Sequence, residues 1–187
     1  MIGDNRIKVF GRAMKQEIER SFLVDKTKSI NGMCFEDFVR THPHEESFSA
    51  MLDGFNKGKT TRRLRKEGAK YTFVYKGIFN EETKSREERE EVLSREEFER
   101  RLEQELNENT EIFKKSRYRI KFVCANSIGR LAELDIFHGN HEGFSTIEVE
   151  FENEQDCRDF IPPDWFGDEC TGEVIDMLKA ISSKNSQ

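Results

Sequence analysis

Glu17, Glu19 and Ser21 alternate with Ile18, Arg20 and Phe22 in the stretch EIERSFLV, Glu17 to Val24. Successive side chains of a β-strand point to opposite faces, so both carboxylates share one face. Two glutamates side by side suit a hard divalent cation, which takes oxygen ligands. One such pair constrains little, because ordinary surface strands carry them too. Here the pattern recurs. Glu133 and Asp135 bracket Leu134, and Glu148, Glu150 and Glu152 alternate with Val149 and Phe151. Arg63 and Arg65 bracket Leu64, and Lys115, Arg117, Arg119 and Lys121 alternate with Ser116, Tyr118, Ile120 and Phe122.

Two architectures accommodate this alternation. In the first, half-exposed strands turn their charged faces to solvent. Such faces normally mix Thr, Ser and both signs of charge, whereas each run here carries one sign. Like charges side by side repel, so something between the strands must neutralise them. In the second architecture, a closed barrel turns its charged faces inward. Acidic strands hold cations, basic strands hold an anion such as phosphate, and apolar faces point outward against covering helices.

Composition fits the second. Charged residues make up 36% and hydrophobic residues 35% of 187 residues, yet 16 Phe argue against disorder. A charged interior solvates two surfaces and explains both values. The length suits one domain, residues 17–187, preceded by an arm at 1–16. The net charge of −6 disfavours nucleic acid as a general partner. No apolar run is long enough for a membrane helix, and residues 1–16 lack the apolar region of a secretory signal. Cys34, Cys124, Cys157 and Cys170 lack zinc-like spacing and read as free thiols, so a cytoplasmic location is expected.

Along the chain, strands are expected near 51–56, 61–67, 70–77, 115–124, 130–138 and 145–153, with a hairpin turn at Glu67-Gly68-Ala69-Lys70. Residues 25–50 read as irregular, with one helical turn at Cys34–Val39. Residues 81–111 read largely as helix. Ser94 and Glu97 form a capping box there, and Phe98, Leu102 and Leu106 share one face. A helix follows from Glu154, stopped by Pro162-Pro163, and the tail from Gly172 has the spacing of an amphipathic helix. Trp165 and Phe166 are expected to anchor the Pro-Pro turn against the barrel wall. His138 and His141, flanked by Gly139 and Gly143, read as an exposed turn. Gly58-Lys59-Thr60 mimics the end of a P-loop, but Asp53 stands where that motif needs glycine.

Several stretches together resemble the CYTH, or triphosphate tunnel metalloenzyme, family. They are EIERSFLV (17–24), LDGF (52–55), RRLRKEGAKYTFVYKG (62–77), SREEREE (85–91), KSRY (115–118), LAELDIFHG (131–139) and IEVEFENEQDCRDFIPPDWFGDECTG (147–172). The resemblance implies an eight-stranded antiparallel closed barrel with flanking helices, mainly β, that binds triphosphate and divalent metal. Members hydrolyse tripolyphosphate, nucleoside triphosphates, thiamine triphosphate or RNA 5′-triphosphate, and some are adenylyl cyclases. It also moves residues 85–92 from helix to strand, which puts Glu88, Glu90 and Val92 on one phase.

The expected site follows. Glu17, Glu19, Glu148 and Glu150 hold Mg²⁺ or Mn²⁺. Arg63, Arg65, Lys76, Lys115 and Arg117 grip phosphate oxygens. Glu88, Glu90, Glu133 and Asp135 orient those cations or water, or hold a second metal. The family's first motif ends in a lysine, implied to help activate the attacking water, and Ser21 stands at that position here. The family's basic–Tyr–x–Asn segment after the final Thr-Gly is replaced by Glu173-Val174-Ile175-Asp176. Two functions remain open: a metal-dependent triphosphatase, in which Lys115 or Lys121 has taken over the lysine's task, and a triphosphate-binding module with little turnover. An adenylyl cyclase is a third.

Overall fold

The computed structural model describes residues 15–53, 58–108, 110–124 and 129–185. The expected arm lies almost wholly outside them. Nine strands occur among the described residues, all paired antiparallel: β1 (Lys15–Val24), β2 (Glu45–Asp53), β3 (Thr61–Glu67), β4 (Lys70–Lys76), β5 (Ser85–Leu93), β6 (Glu111–Val123), β7 (Gly129–His138), β8 (Ser145–Glu150) and β9 (Phe166–Glu169). The order β5-β4-β3-β2-β6-β7-β8-β1, with β5 also pairing β1, closes an eight-stranded barrel. β1 is longer than the seam it forms with β5. Its first half pairs β5 from Lys15 to Ile18, and its far end pairs β9 at Phe22 and Val24.

Among the described residues four α-helices dress the barrel: α1 (Phe35–Thr41), α2 (Arg95–Glu105), α3 (Glu154–Arg158) and α4 (Val174–Asn185). The Ser94 hydroxyl accepts from the Glu97 N–H at 3.1 Å and starts α2 where the capping box places it. Asn153 caps α3 in the same way through Asp156 N–H at 2.9 Å.

The outward phase of the strands forms the main core. Ile18, Phe22, Ile120, Phe122, Leu134, Ile147 and Val149 meet Phe35 and Phe38 of α1, and Phe160, Trp165 and Phe166. Each of these large side chains contributes about 1.5–3 kcal/mol by leaving water. Trp165 and Phe166 do anchor this corner, at 6.0 and 5.7 Å from the Phe122 ring. Arg20, the charged residue on β1's apolar phase, is explained here. Its guanidinium donates to the Phe160 carbonyl and to both Glu169 oxygens, and lies 5.1 Å from the Phe22 ring. A second core joins Ala50 and Leu64 to Phe98 of α2.

The inward phase turns apolar at one end of the barrel. Met51 on β2, Phe113 on β6 and Phe137 on β7 meet Leu178, Val174 and Ile175 of α4. The amphipathic tail helix therefore covers that end.

Four expectations need correction. β2 begins at Glu45 rather than near 51. Its inner residues Ser47 and Ser49 are small and buried, so a tertiary environment, not a strong apolar alternation, holds them in a strand. β6 begins at Glu111, four residues before the expected 115. β9 is a strand that the sequence pattern does not signal, a short edge segment held by β1. His141 is 1% exposed, not in an exposed turn. It donates to or accepts from Ser182 of α4 at 2.7 Å and lies beside Phe113.

Candidate functional site

The barrel encloses a cavity of about 720 Å³, bordered by Glu17, Glu19, Ser21, Arg63, Arg65, Lys76, Glu88, Glu90, Lys115, Arg117, Glu133, Glu148 and Glu150. Asp135, 1% exposed, lies behind Lys115 and Arg117. The strand phases thus bring together the residues singled out in the sequence. Lys121 does not join them: it is exposed near the end of β6, beyond the cavity wall.

Register explains the meeting. Glu19 faces Glu150 and Ser21 faces Glu148 across the β1–β8 ladder, and Glu133 faces Glu148 across β7–β8. Carboxylates directly opposite one another are destabilising unless neutralised. Cations from other strands do this. Lys76 Nζ donates to Glu17 Oε1 and Oε2 at 2.7 and 2.8 Å, and lies 3.2 Å from Glu88. Arg117 grips Asp135 with a two-pronged contact of 2.7 and 2.6 Å, reaches Glu148 at 3.2 Å and also pairs with Glu133. Arg65 donates to Glu90 at 2.7 Å, and Lys115 pairs with Asp135. At the rim, Lys15 stands 3.3 Å from Glu150.

Arg63 differs. Among the described residues it forms no ion pair within 4.0 Å, and its Nε is buried without a hydrogen-bond partner. Burial, then the neighbouring charge of Arg65, lowers its pKa from the usual guanidinium value. A half-buried cation with an unbonded Nε carries a desolvation cost that an incoming anion would offset.

Titration follows from the same contacts. Burial opposes ionisation of Glu17, but Lys76 and Arg86 hold it well below the usual carboxylate range. Lys115 and Arg117 overcome burial at Asp135 and bring it to about 2. Glu19 goes the other way. Its burial, with Glu17 and Glu148 nearby, outweighs Lys76 and Arg86 and pushes it up to about 7. Burial lowers Lys115, aided by Arg117 and opposed by Asp135 and Glu148.

The acidic residues fit a divalent cation by donor chemistry, since they offer hard oxygens. Among the described residues, however, no three acidic side chains are gathered as a ready-made cage. Basic side chains stand between them.

Sequence reasoning left one central residue unassigned. Arg86 on β5 donates through Nε to Glu17 Oε2 at 2.9 Å and through Nη2 to Glu19 Oε1 at 2.5 Å. Its signal was present: Arg86 precedes Glu88 and Glu90 at spacing two, on the same phase. Glu67, Lys70 and Arg119 also border the cavity.

Ser21 is 3% exposed. Its backbone is fixed by Thr171 Oγ1, which accepts from its N–H at 3.0 Å, and by Cys170 N–H, which donates to its carbonyl at 2.8 Å. No helix of the described structure is long and apolar enough to cross a membrane.

No family model matches the chain. A stretch of 54 residues, 29% of the chain, is 43% identical to the inorganic triphosphatase of Nitrosomonas europaea. That stretch spans 36% of the relative's length. A crystal structure of an inorganic triphosphatase superposes with a TM-score of 0.53 and 29% identity, covering 89% of this chain and 97% of that one. A provisionally assigned adenylate cyclase of Bacillus halodurans superposes with a TM-score of 0.54 at 18% identity, covering 89% and 91%. That last likeness concerns the fold alone.

Proposed function

Because this chain belongs to the CYTH, or triphosphate tunnel, family, we propose that it binds a triphosphate inside its barrel together with Mg²⁺ or Mn²⁺, and hydrolyses it. The observation that carries this reading is Arg63, a half-buried cation on the cavity wall with no ion-pair partner among the described residues and a buried Nε left without a hydrogen-bond partner. A triphosphate carries about four negative charges near neutral pH, and a low-dielectric site strengthens its attraction to fixed cations. Arg63, Arg65, Arg117, Lys76 and Lys115 meet its oxygens. The arginines supply forked donors, and the lysines supply point charges.

Glu19, Glu148 and Glu150, with Glu17, would hold the divalent cation. When bound, it would offset charge that develops on the phosphate oxygens. Glu88, Glu90, Glu133 and Asp135 keep the basic side chains aimed inward. Water attacks the terminal phosphorus in line with the bridging oxygen that leaves. The new P–O bond forms as the bridging P–O bond breaks, and a water proton leaves on an oxygen of the departing diphosphate.

Ser21 specifically favours a second reading, a tunnel that holds triphosphate with little turnover. A general base contributes roughly 10²–10⁴-fold, so losing one leaves slow activity. Phosphate release from tripolyphosphate, ATP and thiamine triphosphate, with Mg²⁺ and with Mn²⁺, beside calorimetric binding of each, separates the two. Tight binding with release is the enzyme; tight binding alone is the module. Absence of binding to all three refutes both.

A further inference from the structure

Arg86 stands where a cation serving the acidic strand belongs. Its guanidinium bridges Glu17 at 2.9 Å and Glu19 at 2.5 Å, and the field of Glu148 reaches it as well. The carboxylates therefore converge on a side chain of this chain. Lone pairs that accept from a guanidinium are not free to ligate a metal. Arg86 also has somewhere else to go. It borders the main cavity and a side cavity of about 210 Å³ that opens beside it. The Phe79 ring already lies 5.7 Å from its guanidinium carbon, and an aromatic face holds a cation weakly.

We propose that Arg86 is the resident counter-ion of the Glu17–Glu19 pair, that it competes with the divalent cation for those carboxylates, and that it thereby sets the metal affinity of the tunnel. This rests on the metal-dependent reading above. The exchange conserves charge locally: as the divalent ion arrives, the guanidinium leaves the glutamates and stays in the tunnel wall, free to donate to phosphate. Arg86 acts on the metal through Glu17 and Glu19, so it is a positioning residue.

The size of the effect follows from the competition. If the guanidinium-bound form outweighs the free one by about ten to one, the apparent Kd for metal is about tenfold weaker than the intrinsic value. The test is Mn²⁺ binding without triphosphate, followed by paramagnetic resonance of the free ion, for the parent, Arg86→Ala, Arg86→Lys and Arg119→Ala. Arg119 provides the charge control. It also borders the cavity but pairs with Glu45 at 2.7 Å and Glu133 at 3.2 Å.

Arg86→Ala should bind Mn²⁺ about tenfold tighter or more. Arg86→Lys, a point charge that cannot bridge both glutamates, should fall between, and it serves if the alanine variant does not fold. Arg119→Ala should shift the affinity less than about threefold, a generic charge effect screened at the rim. Unchanged or weaker Mn²⁺ binding in the Arg86 variants overturns the proposal. So does equal tightening in Arg119→Ala, which makes the effect one of bulk charge. If no variant binds Mn²⁺, the proposal falls too. Tripolyphosphate calorimetry then shows whether the tunnel still takes the anion, which separates this failure from failure of the functional reading.

Discussion

Lys76 on β4 donates to both carboxylate oxygens of Glu17 on β1, although β5 lies between those strands in the sheet. The contact crosses the interior of the barrel. Glu17 is buried, and so is Lys76. Removing one member of a buried pair leaves an uncompensated charge, which costs roughly 3–5 kcal/mol. Lys76→Met should lie near the lower end of that range, because Arg86 still faces Glu17. Urea unfolding of Lys76→Met, Glu17→Gln and the double variant checks this. The double variant should recover part of the loss, and strict additivity would mean that the pair is not coupled.

Arg63 should show the opposite balance. It is half-buried, with no ion pair among the described residues and a buried Nε without a partner, so Arg63→Ala removes a cost rather than a contact. Its melting temperature should equal or exceed that of the parent, while tripolyphosphate binding weakens by about 1–3 kcal/mol. Arg117→Ala should lose similar affinity and also melt lower, since it leaves Asp135 with Lys115 alone and takes a cation from Glu148. Calorimetry beside thermal melts distinguishes them. Equal destabilisation by both substitutions would contradict the assignment of Arg63 as the anion's seat.

Two groups give the stability opposite pH slopes. Asp135 is lowered from 3.8 to about 2, so the stability it adds is present above pH 4 and lost as pH falls toward 2. Glu19 is raised from 4.5 to about 7, so its contribution is full below pH 4.5 and lost as pH rises through 7. In a chelator, Glu19→Gln should therefore melt higher than the parent at pH 8 and no higher at pH 4.5. Mn²⁺ should raise the parent's melting temperature at pH 8, because a ligand of the native state stabilises it. A parent whose melts at pH 4.5 and 8 respond identically to the substitution would falsify the burial argument for Glu19.

Ser21 decides between turnover and binding alone. If the missing lysine is what turnover needs, the parent binds triphosphate and hydrolyses it slowly. Ser21→Lys should then raise the rate by more than about tenfold with little change in affinity, because a base acts on the chemical step. If Lys115 has taken the role, the parent is already fast, Ser21→Lys adds nothing, and Lys115→Ala lowers the rate. Steady-state rates for the parent and both variants give the answer. No turnover in any of them leaves only the binding reading.

His141 joins the tail helix to the barrel. Burial lowers its pKa below 6.5, and its ring bonds Ser182 of α4. A histidine favoured neutral in the fold contributes stability that is present above its unfolded pKa and lost as pH falls below it. Amides of α4 should therefore exchange faster at pH 5 than at pH 7.5 once intrinsic rates are divided out. His141→Phe should remove that difference.

The alternation of single-sign charges determined a great deal. Strand phase is local, since period two assigns Glu17 with Glu19, Arg63 with Arg65 and Lys115 with Arg117 to common faces. The single sign of each face then demanded an interior where acidic and basic strands neutralise each other. The capping box at Ser94 and the apolar spacing of the tail were equally local, and both helices formed where those signals stand. What tertiary structure decided was who neutralises whom. Lys76 reaches Glu17 past an intervening strand, and Arg86 bridges two glutamates from a neighbouring one. Those partners depend on register and barrel closure, which no sequence spacing encodes. The same holds for the burial of His141 and for β2 and β9, weak strands held in place by their neighbours. Local chemistry set the charges on each face, and closure of the sheet set the distances between them.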